Sequence, residues 1–468
     1  MLKKVFFFGL NPNILKELFL YLTLSFFIFY FISFSPSLLS TNQPDSDNFI
    51  NPNNTRKVLY LIFFRFCNYL EINIITAQKI IITISLSFLI FALRKNTFSK
   101  IFCILFLLLV LLNIYYTSFS KTILSEPVFF SLINISVALI LISRKNNFNL
   151  HFQIVMGCFL GLIFSIKMIG AVITICFLSY FILNYSQNRK GIFVILFSIL
   201  VIIIFENVLF YINHTERQSV FKQSAIGKVV FISGKDSLKI NNFPKESHSI
   251  LKVSKDKFAP VHKYINKIKN PFLKSELLAD YEVVAQYQFL NNSNFDKEQI
   301  ENFWKNAESY LFILIKNNFF DYLKTSFFHY IGLWSAGLKF IHLDNLQKGN
   351  FDLPLKNELI NASGPINLFS YNLLIFGQVY FILIFFVFTI LTFSLTTFIH
   401  ERKNHRIKFL VLFILSSQIY LFSTAFTNVA TIRYLMPVYP IIIITILMFL
   451  NDIIVPWMKK NFLNHLNK

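Results

Sequence analysis

An all-α polytopic membrane protein is the fold class this sequence predicts, on three observations. Hydrophobic residues fill 55% of the 468 positions and charged residues only 14%, too apolar a balance for an ordinary soluble domain. Many apolar runs reach the roughly 20 residues needed to cross a hydrocarbon core of about 30 Å. Much of the basic charge behind the net +21 sits in short segments beside those runs. In a soluble protein that charge would suggest nucleic acid, but here the position of the charges outranks their sum, and no nucleic-acid partner is expected. The clusters are Lys3, Lys4 and Lys16; Arg94, Lys95 and Lys100; Arg144 and Lys145; Arg189 and Lys190; Arg402, Lys403, Arg406 and Lys408; and the tail at Lys459, Lys460 and Lys468. An alternating topology puts all of them on one face, which the positive-inside rule makes cytoplasmic. The expectation is a multi-pass protein of the plasma (bacterial inner) membrane with both termini inside.

About ten transmembrane helices follow from the pattern. The first covers 14–35; two lysines precede it, but it exceeds a signal-peptide h-region and no A-x-A site follows, so it reads as a retained helix. An outward loop, 36–72, carries an acidic turn, Pro44-Asp45-Ser46-Asp47-Asn48-Phe49. Its second half, Val58 to Ile72, is apolar but broken by Arg65, Asn68 and Glu71, and reads as a helix lying in the interface. Helices two, three and four are predicted over 73–93, 101–117 and 127–143, with a tight loop containing Lys121 and Glu126 between the last two. The run 151–184 is too long for one span and is interrupted by Lys167 and Gly170, so it divides into two helices joined by an outward turn. Helix seven covers 191–212 and carries Glu206.

Beyond it the composition changes. Residues 213–369 alternate Lys with Asp and Glu and read as an outward, mostly helical domain resting on the membrane surface. Phe303, Ala307, Tyr310 and Leu314 fall on one side of a helix there. Helices eight, nine and ten follow over 370–397, 408–426 and 436–454. The expected organisation is a membrane module over 1–212, the outward domain over 213–369 and a closing membrane segment over 370–468.

Chemistry is narrowed by counting carboxylates. Of the 23 Asp and Glu residues fifteen lie in 213–369, leaving Glu17, Asp45, Asp47, Glu71, Glu126, Glu206, Glu401 and Asp452. Five of these, Asp45, Asp47, Glu71, Glu126 and Glu206, fall on or near the outward face. Acidic groups at membrane depth are costly and often functional, which favours Glu126 and Glu206 over solvated decoration. The four cysteines sit singly in apolar or near-apolar sequence and imply neither a disulfide framework nor a zinc site. There is no P-loop, no HExxH and no paired His/Cys ligand spacing.

Four stretches resemble one family. Asp45-Ser46-Asp47-Asn48-Phe49-Ile50 with Arg56 and Tyr60 is similar to the first-loop signature of the GT-C class of polyprenyl-phosphate-sugar-dependent glycosyltransferases, which includes protein O-mannosyltransferase-like and lipid A aminoarabinose transferase-like enzymes. Thr122-Ile123-Leu124-Ser125-Glu126-Pro127-Val128-Phe129 resembles its LSEPLF element, and Gly157, Gly161, Lys167 and Gly170 resemble its glycine-rich element. Ile432-Arg433-Tyr434-Leu435-Met436-Pro437-Val438-Tyr439-Pro440 resembles its closing RYxxPxYP element. The order and spacing match across the membrane part. Phe49 stands where the family has Tyr and Lys167 where it has Arg, and 213–369 matches none of its elements.

The resemblance implies an integral membrane hexosyl- or pentosyltransferase that takes sugar from a polyprenyl-phosphate donor on the non-cytoplasmic face and inverts it. The acceptor would be a hydroxyl on a glycan, lipid or protein. Such a transfer needs a base for the acceptor proton and cations for the departing phosphate. The resemblance gives the first role to Asp45, with Asp47 as the alternative, and sets Glu126 across the pocket to orient the acceptor or hold a divalent metal. No cofactor is required by any motif. Arg433, Tyr434, Lys167 and Arg56 would meet the donor phosphate and lipid. Two other readings compete: an O-antigen polymerase or ligase, which would depend on loop arginines and a histidine, and a lipid-linked oligosaccharide flippase or transporter, which would place ionisable residues at the midplane in two similar halves.

Overall fold

The computed structural model describes residues 12–35, 37, 58–96, 98–143, 149–184, 188–213, 220–269, 271–287, 289–290, 295–334, 368–394, 405–428 and 432–456. Among them the regular structure is entirely helical. The membrane-type helices are α1 (Pro12–Phe34), α2 (Val58–Tyr69), α3 (Ile74–Lys95), α4 (Lys100–Leu111), α5 (Ile114–Phe119), α6 (Glu126–Ser143), α7 (Leu150–Ile166), α8 (Gly170–Asn184) and α9 (Arg189–Asn213). The middle of the chain forms α10 (Val220–Ser233), α11 (His248–Lys267), α12 (Pro271–Tyr287), α13 (Lys297–Asn317) and α14 (Phe319–Gly332). Then come α15 (Leu368–Phe393), α16 (His405–Thr427) and α17 (Tyr439–Phe449), the last running into one π-helical turn at Leu450–Ile454. The chain packs as two units: residues 1–216, 402–416 and 436–468 in one, and 217–401 with 417–435 in the other.

In the first unit α6 is buried along almost its whole length and packs against α3 and α7. Helices α7 and α9 meet closely because Gly157 and Gly161 present no side chain. A Cβ on Gly157 would lie 2.6 Å from the Ser198 Cβ, and one on Gly161 2.8 Å from the Ile202 Cβ. Small residues one turn apart let two helix backbones approach, which is how membrane helices associate without a hydrophobic driving force between them. Phe193, Phe197, Leu200, Ile204 and Val208 of α9 are exposed. Lipid is the solvent that suits them. Among the described residues four helices are long and apolar enough to cross a membrane, Ile74–Lys95, Glu126–Ser143, Arg189–Ile212 and Arg406–Thr427, with shorter apolar helices beside them. The chain is an integral membrane protein.

Two local departures from the predicted elements have side-chain causes. The stretch read as one helix over 101–117 divides at Leu112, because the Asn113 side chain accepts the amides of Tyr115 and Tyr116 and starts a new helix. At the end of α2, Glu71 takes a left-handed φ of 55°, while the Ile72 amide bonds the Cys67 carbonyl and the Glu71 amide that of Asn68. This is a Schellman closure, normally made by glycine. The Glu71 side chain is exposed, so the residue's constraint lies in its backbone. Glu71→Gly is therefore expected to raise stability by about 0.5–1 kcal/mol, read as a higher thermal midpoint in detergent.

The second unit has its own core. The predicted stripe Phe303, Ala307, Tyr310 and Leu314 of α13 is buried, packed with Ile226 and Val230 of α10 and Tyr281 of α12. Through this core runs a charged link: the Lys228 Nζ lies 3.2 Å from Glu282 Oε1, and Glu282 Oε2 lies 2.6 Å from His329 Nε2, all three side chains at most 1% exposed. It ties α10, α12 and α14 together.

Candidate active site

Two of the predicted site residues meet. The Glu126 carboxylate is the first side chain of α6, and Lys167 is the residue that ends α7 in extended backbone. Their charged ends lie 2.6 Å apart across 41 positions of sequence. The side chains are 4% and 17% exposed respectively, so the ammonium keeps an edge open while the carboxylate does not. Each charge also sits at the helix end that suits it. A carboxylate is stabilised by the positive N-terminal pole of α6, and an ammonium by the negative C-terminal pole of α7.

The backbone around the pair explains why Lys167 is held there. The chain turns from α7 into α8 in three residues, closed by the Gly170 amide on the Lys167 carbonyl. A Cβ on Gly170 would lie 2.2 Å from the Ile163 carbonyl oxygen and 3.0 Å from Phe129 Cε2, so only glycine allows this turn against α6. Phe129, one turn after Glu126, places its ring 5.9 Å from the Lys167 Nζ. Ser125 precedes Glu126 and donates weakly to Oε2 at 3.5 Å.

Tyr60, from the first-loop signature, belongs to the same neighbourhood. Gln78, one turn into α3, donates at 2.6 Å to the Tyr60 hydroxyl and at 2.9 Å to the Leu124 carbonyl, two residues before Glu126. Burial, and then the Glu126 charge, raise the Tyr60 phenol above its ordinary value. In the loop before α6 the Lys121 ammonium donates to the Ser35 carbonyl at the end of α1. Burial, and then the Lys79 charge, pull Lys121 down to about 8.

Asp45, Asp47 and Arg56 lie outside the described residues. Arg433 and Tyr434 form one 3-10 turn with Ile432 in the second unit, where the Arg433 Nη2 donates to the Tyr434 hydroxyl at 3.2 Å. From Met436 onward the closing element belongs to the first unit, and its Tyr439 hydroxyl donates to the Leu109 carbonyl at 3.1 Å. Glu206 is buried on α9, 1% exposed. Among the described residues no group of three His, Cys, Asp or Glu side chains could hold a metal ion. Gln78 was missed by sequence reasoning; its one signal is a lone amide at the start of an apolar run. Lys121 stood in the right loop but carried no motif.

What this arrangement offers chemically is a fixed carboxylate beside a partly open ammonium, with a phenol and a carboxamide next to them. That is an environment for holding an anion or a hydroxyl compound. No protein-family model and no curated protein matches the chain. Among solved structures, it is similar to the crystal structure of ArnT from Cupriavidus metallidurans bound to undecaprenyl phosphate, at 10% identity and a TM-score of 0.35, over 93% of this chain and 77% of that one.

Proposed function

We propose that the chain is a membrane glycosyltransferase that moves a sugar from a polyprenyl-phosphate carrier to a hydroxyl acceptor on the non-cytoplasmic face, with inversion. One observation carries the reading. Glu126 and Lys167 come from two separate stretches that resemble the same enzyme family, and they meet 2.6 Å apart with Tyr60, from a third such stretch, linked to the same loop through Gln78.

In this reading Asp45, or Asp47 in its place, takes the proton of the acceptor hydroxyl as that oxygen attacks the anomeric carbon. The bond from that carbon to the phosphate oxygen breaks, and the electron pair leaves with the polyprenyl phosphate. Lys167 stabilises the charge growing on the phosphate, and the family resemblance gives Arg56, Arg433 and Tyr434 the same partner. Glu126 aims Lys167 and neutralises it until the donor arrives. A single in-line attack without a covalent sugar intermediate inverts the anomeric centre.

The test is transfer of labelled sugar from a panel of polyprenyl-phosphate hexoses and pentoses by purified protein. Asp45→Asn is expected to lower the rate by about 10²–10⁴-fold, the usual contribution of a general base, with Asp47→Asn the smaller effect. Full activity in both variants would remove the base from the first loop. Movement of intact lipid-linked sugar across proteoliposomes, with no transfer, would favour a transporter instead.

A further inference from the structure

The second unit carries a cleft of ≈ 240 Å³ walled by the turn after α10 and by α11, α12 and α14. Four lysines line it, Lys235, Lys263, Lys274 and Lys324, against two carboxylates, Asp236 and Asp321. Its floor is built before any ligand arrives. Lys235 gives its ammonium to the Asp321 carbonyl at 3.2 Å, the Asp321 carboxylate at 3.3 Å and the Thr325 hydroxyl at 3.0 Å. Ser237 donates to the other Asp321 oxygen at 2.6 Å. Lys235 and Asp321 thus satisfy each other, and the excess positive charge falls to Lys263, Lys274 and Lys324 at the rim. Lys263 and Lys324 are exposed, and Lys274 is half-buried with its Nζ 5.0 Å from the centre of the Phe328 ring. The crowding is electrostatic as well as steric: burial, and then the Lys324 charge, pull Lys274 below the ordinary lysine value. A cleft of this volume has room for a sugar residue. The wall mixes Phe328 and Leu278 with Asp236, an apolar surface beside a hydroxyl acceptor, as a sugar ring requires.

We propose that this cleft binds one anionic sugar residue, its phosphate or carboxylate held by Lys263, Lys274 and Lys324. That the residue belongs to the acceptor rests on the transferase reading above; that the cleft binds it does not. A preformed, cation-rimmed site would select acceptors by charge and add an affinity that falls with salt.

Full-length protein in detergent micelles is titrated by calorimetry with glucose 1-phosphate, glucuronate, glucose and inorganic phosphate. Saturable binding of either sugar anion is expected, the tighter one naming the acceptor's charged group. Lys263→Gln with Lys324→Gln, both at exposed positions, should weaken it by at least about tenfold, the scale of one charge-assisted hydrogen bond. Lys297→Gln, an exposed lysine of α13 paired with Glu301, should leave it unchanged. Saturation by neither anion, glucose binding as tightly as the anions, or binding indifferent to the double substitution overturns the proposal. Inorganic phosphate binding as tightly as glucose 1-phosphate overturns the sugar assignment. No sugar transfer is read, so a negative result here leaves the catalytic reading standing, and a failed transfer assay leaves this one standing.

Discussion

Lys167→Met is expected to destabilise the protein by about 3–5 kcal/mol and, on the transferase reading, to abolish sugar transfer, because it removes the ammonium that lies 2.6 Å from the buried Glu126 carboxylate. Glu126→Gln should cost less in stability, since Lys167 is the more exposed member of the pair and water can reach its side chain. The two together should restore a stability near the parent's, because a neutral pair of similar size removes the desolvation cost along with the attraction. Activity separates the structural role of the pair from its chemical one. If Lys167 meets the phosphate, the stable double variant should still be slower by about 10²–10³-fold, the usual loss for one electrostatic donor. A double variant that recovers both folding and transfer would make the pair a packing device.

The second large effect is in the other unit. Glu282→Ala leaves the Lys228 ammonium buried and unpaired, and should lower stability by about 3–5 kcal/mol. Burial pushes the Glu282 carboxyl up, but the Lys228 and His329 charges and their hydrogen bonds outweigh it and hold it at about 2. A carboxyl held below its ordinary 4.5 contributes stability that is complete above that value and is lost as pH falls toward 2. A second group acts earlier. Burial holds His262 at about 4, with Lys235 lowering it further, while its bond to the Phe231 carbonyl and the Asp321 and Asp236 charges oppose that pull. The unfolded chain then binds the proton more readily, so this contribution is complete above pH 6.5 and declines as pH falls toward 4. Limited proteolysis of the full-length protein from pH 7.5 downward should show two successive losses of protection. His262→Gln should flatten the first and leave the second.

The helices were legible because their signals are local. Apolar run length and the breaks at Lys167 and Gly170 set α7 and α8 within a residue or two, and the 3.6-residue stripe from Phe303 to Leu314 marked the buried face of α13. The division at Asn113 escaped because an asparagine after twelve apolar residues changes hydropathy little, while its side chain competes strongly for two amides. In the site, Glu126 and Lys167 were named separately, as an acceptor-orienting carboxylate and a phosphate partner. Their pairing depends on a backbone turn that only Gly170 permits, and no spacing rule encodes such a turn. The Lys228–Glu282–His329 link was invisible for the same reason: its members are 54 and 47 positions apart in a stretch where Lys and Glu alternate.

The contrast between α6 and α9 bears on how the protein is assembled. Helix α9 is the more apolar of the two despite Glu206, with most of its surface outside the bundle, and such a segment can leave the insertion machinery for lipid unaided. Helix α6 begins with a charged residue, carries Asn134 bonded to Ser85 of α3 and Tyr116 of α5, and is buried nearly throughout. It emerges from the ribosome before Lys167 exists to neutralise Glu126. Its residence in the bilayer therefore waits on α7, so the part of the chain best suited to chemistry becomes stable in the membrane only once a later helix has joined it.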